Sequence, residues 1–265
     1  MRHLLTRHRL SKLTLAALLL ASTAGARDVD TLLQALRKAA RQELRGAVES
    51  SVFFPPREQP TKTRGMLPRL AFVPSLLRRN FDVSGGGKEN IAGRSAVRFD
   101  LAPKAKFADR WSIWLDAVWK MPLAFEERDA VGGVVRRAKF TDVQGPPRRR
   151  LHAAAEMVPD AGFGKAVQDA LPGLQLPRGF APVGDQQTNR GREIVLSDGL
   201  NVLALVIAER NVPRGNGVAA RRVGDRFVWL VGNLPQEQLR AALAGITDVK
   251  PGALGTFVPQ DDSKN

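Results

Sequence analysis

Two turn pairs, Asp198-Gly199 and Gly224-Asp225, punctuate residues 191–246 and dictate how that stretch can fold. An Asp-Gly pair between two apolar runs is among the strongest short-range signals for a β-hairpin. The runs here are 193–196, 200–209, 218–223 and 226–231. In the second, Val202, Ala204 and Val206 alternate with Leu203, Leu205 and Ile207; in the fourth, Phe227, Trp229 and Val231 alternate with Val228 and Leu230. Successive side chains of a strand point to opposite faces, so both strands should be covered on both sides. A helix then opens at Pro235, where a missing N–H costs nothing. Its apolar stripe is Leu239, Ala242, Leu243 and Ile246. The pattern predicts a small antiparallel sheet with one helix packed on it, and a positive φ at Gly199.

Residues 1–26 read as an export leader. Arg2, Arg7, Arg9 and Lys12 form a basic head, residues 13–21 an apolar core too short to span a bilayer, and Ala24-Gly25-Ala26 a small-residue cleavage site. The expected mature start is Arg27, in the periplasm. The chain has no cysteine, so neither a lipid-modified anchor nor disulfides are available, and stability must come from packing.

The chain carries 41 basic and 26 acidic residues, a net charge of +15. The leader holds four of the bases and none of the acids, which leaves +11 on the remainder. Such a surface favours anionic partners such as acidic protein segments or lipid head groups, or it reflects an arginine-rich composition alone. Export argues against nucleic acid. Of three histidines, His3 and His8 leave with the leader, and His152 lies beside an arginine run. A Ser-His-Asp triad or a His-based metal site would rest on that one residue. Ser84-Gly85-Gly86-Gly87-Lys88 resembles a phosphate loop only superficially: Glu89 follows the lysine where Ser or Thr is required, and a strand follows rather than a helix, so a hairpin loop is expected. No catalytic residue, metal site or cofactor is assigned, and the chain reads as a binding protein rather than an enzyme.

In the N-terminal half a helix is expected from a cap at Asp30 or Thr31 to about Arg45, with Leu32, Leu33, Leu36, Ala40 and Leu44 on its apolar face. A strand over 47–54 ends at Pro55-Pro56. Residues 57–66 read as a polar loop and 75–79 as a short helix. The runs 92–101, 111–119, 123–129 and 134–140 then form an antiparallel meander. Gln144-Gly145-Pro146-Pro147-Arg148-Arg149-Arg150 marks a linker, read as solvated. A short helix over 163–171 and a run at 180–183 lead into the C-terminal sheet, and the chain beyond Lys250 reads as disordered.

Several motifs stand in a recognisable order. They are IAGR at 91–94, DRWSIWLD at 109–116, MPLAFEERDAVGGVV at 121–135, FTDV at 140–143, SDGL at 197–200, RRVGD at 221–225 and VGNLP at 231–235. In this order they resemble the MucB/RseB family, periplasmic regulators of envelope-stress anti-sigma factors. The resemblance implies an α+β chain: a LolA-like antiparallel half-barrel, shortened because the segment 54–67 is brief, plus a smaller C-terminal antiparallel sheet with a packed helix. The implied organisation is a leader over 1–26, a LolA-like domain over 27–144, a linker over 145–161, a C-terminal domain over 162–250 and a disordered tail over 251–265.

The resemblance also implies a function. The C-terminal domain would bind the periplasmic segment of a membrane anti-sigma factor, and the N-terminal domain would sense a lipid or other anionic envelope ligand. The alternative is a lipid or lipoprotein carrier of the LolA-like class. Trp111, Trp114, Trp119 and Phe125 are the candidate ligand lining. On a strand, Trp111 and Trp119 share a face and Trp114 takes the other; the same residues also suit a sheet core under a covering helix. Arg214, Arg221 and Arg222 are the candidate partner contacts, since guanidinium forks match acidic peptides; solvated surface charge is the other reading.

Overall fold

The computed structural model describes residues 9–54, 59, 61–152, 156–188, 191–211 and 215–255. In chain order the elements are α1 (Arg9–Arg41), β1 (Gln42–Glu43), β2 (Val48–Val52), β3 (Thr61–Gly65), α2 (Pro74–Asn80), β4 (Phe81–Ile91), β5 (Arg94–Pro103), β6 (Arg110–Asp116), β7 (Pro122–Arg128), β8 (Val134–Phe140), β9 (Arg148–Arg149), α3 (Ala161–Ala170), β10 (Ala181–Thr188), β11 (Gly191–Ser197), β12 (Val202–Ala208), β13 (Val218–Val223), β14 (Arg226–Val231) and α4 (Gln236–Ala244), followed by a 3₁₀ turn (Pro251–Leu254).

The N-terminal sheet is fully antiparallel, in the order β3-β2-β8-β7-β6-β5-β4, and does not close into a barrel. Alternation sets its inner face. Phe99 and Leu101 of β5, Trp111, Ile113 and Leu115 of β6, and Leu123 and Phe125 of β7 point inward and are buried. Leu32, Leu33 and Leu36 of α1 lie against them, completing a helix-on-sheet core.

Five expectations for this half are corrected. Thr61–Gly65, read as loop, is the edge strand β3 paired with β2; its Thr-Lys-Thr-Arg-Gly sequence lacks apolar alternation because an edge strand needs little of it. Ser84–Lys88 is no hairpin loop but a bulged stretch inside β4. There the N–H of Gly85 donates to the Asp28 carboxylate at 2.7 Å, so an acid occupies the place a phosphate would take. The first helix ends at Arg41, before a short strand, rather than at Arg45. It shows no cap at Thr31, whose hydroxyl instead donates to the Arg27 carbonyl within an unbroken helix. The run 111–119 stops being strand at Asp116, and Trp119 sits in the turn to β7.

The C-terminal sheet has the order β10-β11-β12-β14-β13. Leu203, Leu205 and Ile207 of β12, with Val228 and Leu230 of β14, face α3 and α4 in one core. On the other face Val206, Ala208 and Trp229 are buried in a second apolar cluster, but Ala204, Phe227 and Val231 are only half-buried and Val202 is exposed, so the expected cover on that face is partial. The Asp160 side chain caps α3 by accepting from Phe163 N–H at 2.8 Å. The disorder expected from residue 251 does not hold for residues 251–255, which form the 3₁₀ turn and its end. Leu254 is fully buried in the C-terminal core, and the Gly255 carbonyl accepts from Arg192; residues 256–265 lie outside those described. No described helix is long and apolar enough to cross a membrane.

Candidate functional site

Two features stand out: a cavity in the N-terminal half and a polar joint between the sheets. The cavity, about 320 Å³, opens where the end of α1, the segment 66–72 and residues Arg150, Glu156 and Met157 meet. Leu36, Leu67, Leu70, Phe72, Met121 and Phe140 give it apolar walls. Its polar atoms are arginine-rich. Arg150 is nearly buried and donates to the carbonyls of Ala39 and Gln42 and, at 3.3 Å, to the Glu43 carboxylate. Burial first, then the charge of Arg69, hold its guanidinium below the usual arginine range, while Glu43 pulls the other way. Arg37 grips Glu156 through two hydrogen bonds of 3.0 and 3.1 Å, which ties Glu156 to α1 and lowers its pKa. An apolar pocket with one nearly buried arginine in its wall and exposed arginines at its mouth suits an anionic amphiphile.

The joint is built from the hairpin turn 197–201. Asp198 folds it by accepting from the N–H groups of Leu200 and Asn201. Gly199 has φ 129°, and a Cβ there would stand 2.5 Å from the Leu77 backbone nitrogen, so only glycine fits against α2. Its carbonyl accepts from Val73 N–H at 2.9 Å. Leu200 is buried in the N-terminal core. Asn201 receives the Trp111 indole N–H at 2.7 Å and donates to Asp198 and to the Asp109 carbonyl. Asn80 donates to the carbonyls of Gly179 and Asp198, and Asn233 to the Asp109 carboxylate. Asp109 is buried beside Glu127, which itself pairs with Arg136. Burial, then the Glu127 charge, push the Asp109 carboxyl up to about 9. Asp198 is pushed up to about 6, chiefly by burial.

The four candidate aromatics do not share the cavity. Trp111 is buried at the joint, its ring centroid 6.0 Å from that of Phe125. Trp114 takes the opposite face of β6, with the Arg98 guanidinium 5.3 Å from its ring. Trp119 lies under the Arg94 guanidinium, 3.4 Å from the ring centroid. None of the four lines the cavity. Of the three arginines, Arg214 lies outside the described residues. Arg221 donates to the Ala244 carbonyl at the end of α4. Arg222 is exposed and sits 5.9 Å from the Phe227 ring. The two arginines are neighbours on one strand and therefore point to opposite faces of the sheet. In the run 148–150, read as solvated, Arg148 and Arg149 are exposed although their backbone pairs with β1, and Arg150 departs from that reading by lying inside the cavity wall. Local patterning could not show the cavity, because three distant segments build it.

A family model described as the MucB/RseB N-terminal domain matches residues 28–160, half of the chain. The chain belongs to the MucB/RseB family. Among solved structures, the crystal structure of MucB is similar at 19% identity and a TM-score of 0.57, covering 84% of this chain and 99% of that one. A Pseudomonas aeruginosa MucA/MucB complex is similar at 17% identity, with the same TM-score and coverage. MucB in complex with MucA(peri) gives 17% and 0.56. At these identities the likeness shows the fold: an α+β chain with antiparallel sheets, shared nearly end to end with MucB. No curated protein matches the chain.

Proposed function

We propose that this chain is a periplasmic, non-enzymatic regulator that binds the periplasmic segment of a membrane anti-sigma factor and responds to a lipid-like ligand in its N-terminal cavity. Family membership and the MucB structures solved with MucA support the partner class. The organisation we propose is a leader over 1–26, a ligand-sensing half over 27–144, a connecting segment over 145–161 and a partner-binding half from 162.

One observation carries the regulatory part: Phe72 lines the cavity, and the next residue, Val73, donates its N–H to Gly199 of the C-terminal hairpin. A ligand that displaces Phe72 acts directly on the joint. It shifts the relative placement of the halves, and with it the affinity for the partner, only so far as it binds the two arrangements unequally.

The test is calorimetric titration of the protein starting at Arg27 with the periplasmic segment of a MucA-like membrane anti-sigma factor from the same organism. The titration is run with and without monomeric lysophosphatidylglycerol. Specific binding that weakens when the lipid is present is expected. Because coupling is reciprocal, the partner segment must weaken lipid binding by the same factor. Absence of partner binding overturns the regulator reading; partner binding indifferent to the lipid removes the sensing half of it.

A further inference from the structure

The cavity mouth carries an unusual surface. Leu151 is 97% exposed, Met66 65% and Val158 66%. Met66 lines the cavity, Leu151 lines the adjoining cleft with Arg41, Arg149 and Arg150, and Val158 follows the lining residue Met157. Single exposed apolar side chains are ordinary on protein surfaces. Three around one opening, from two stretches of chain more than eighty positions apart, are not a scatter.

The charge around them has one sign. Glu43 and Glu156 are already engaged by Arg150 and Arg37. Arg41, Arg69, Arg148 and Arg149 are exposed and make no salt bridge among the described residues. The short β1–β9 ladder holds Arg149 in the adjoining cleft with Arg41, while Arg148, its neighbour on the strand, takes the other face. Apolar side chains that protrude among cations without a salt-bridge partner match the boundary between acyl chains and anionic head groups: the apolar tips enter the boundary while the guanidinium groups stay with the phosphates.

We propose that this rim is a docking surface for an anionic phospholipid membrane, through which the cavity receives its ligand without that ligand crossing water. The docking step stands apart from cavity occupancy, although its purpose rests on the reading of the cavity as a lipid site.

The experiment is co-sedimentation of the protein starting at Arg27 with vesicles of equal parts phosphatidylglycerol and phosphatidylcholine, and with pure phosphatidylcholine vesicles. Binding to the anionic vesicles alone is expected, weakening as salt screens the charges. The double substitution Arg41→Ser/Arg149→Ser should weaken it roughly twenty-five-fold, at about fivefold per surface cation. Leu151→Ser should weaken it roughly tenfold by removing an inserted side chain. Arg178→Ser, at an exposed arginine away from the rim, should leave it unchanged. Ala40→Trp, which fills the cavity, should abolish lysophosphatidylglycerol uptake yet keep vesicle binding, so failure of the cavity reading and failure of docking are seen separately. Thermal melts of each variant confirm folding. Equal binding to neutral vesicles, no vesicle binding, or equal losses for Arg178→Ser and the rim variants overturns the proposal. So does a rim variant that keeps vesicle binding but loses the partner segment, since the rim is then a protein interface.

Discussion

The Trp111 indole N–H donates to Oδ1 of Asn201 at 2.7 Å, a hydrogen bond between two buried side chains ninety positions apart. It joins the inner face of one sheet to the hairpin turn of the other. Asn201 also donates to Asp198 and to the Asp109 carbonyl. Asn201→Ala should therefore leave the indole N–H and a buried carboxylate short of partners, at a cost of about 2–3 kcal/mol. A melt of the variant should fall by roughly 5–10 °C for a chain of this size.

Gly199→Ala tests the same joint by steric means. The added Cβ meets the Leu77 backbone at 2.5 Å, and φ 129° is unfavourable for any L side chain. A loss of at least about 2 kcal/mol is expected, well beyond the cost of an ordinary surface Gly→Ala change. A melt that matches the parent would show that the hairpin does not dock on α2.

The pH dependence follows from Asp109. Its carboxyl titrates at about 9 in the folded chain, because of burial and then Glu127, against about 4 when unfolded. Between those values the folded chain holds a proton that the unfolded chain has released. Raising the pH through that window therefore costs stability, and above pH 9 the cost is constant. Asp198, pushed up to about 6, adds a second loss confined to the acid end. Melting temperatures should fall steadily from pH 5 to pH 9, and Asp109→Asn should flatten the profile above pH 6. A parent profile already flat there would exclude a buried, protonated Asp109.

How much of this was legible in the sequence divides along the line between local and distant order. The β11–β12 turn, β13–β14 and the covered faces of Leu205 and Trp229 follow from alternation and Asp-Gly chemistry, which act within a few residues. The role of SDGLN as a joint does not, because Trp111, Asn80 and Val73 supply its other half. The polar edge strand β3 escaped for the opposite reason: pairing with β2, not burial, forms it. Trp119 looked like a strand residue by spacing, but Asp116 accepts from the N–H groups of Val118 and Trp119 and turns the chain first.

Arg221 and Arg222, adjacent in sequence, should separate by experiment. Arg221 supplies a cation to the carbonyl end of α4, so Arg221→Ala should cost about 1 kcal/mol of stability. Arg222 is exposed, and Arg222→Ala should change stability by less than about 0.5 kcal/mol. Any loss of partner binding in Arg222→Ala is then a contact effect, readable in titration without a change in the melt.

Limited trypsin digestion should cut first after Arg148 or Arg149, which are exposed, and spare the bond after Arg150, which is held by three acceptors. The two fragments should co-elute on gel filtration, since the joint and not the linker holds them. A first cut within residues 90–143 would contradict this order.

Leu200 sits in the core of a half that was completed in the chain long before it. Synthesis proceeds from the N-terminus, so β2 to β8 can all be paired while the socket for Leu200 stands empty and the Trp111 indole lacks its acceptor. The first half is thus an unfinished client until the hairpin follows. A chain cut short before residue 197 keeps that socket open, its apolar wall exposed and the Trp111 indole without its acceptor.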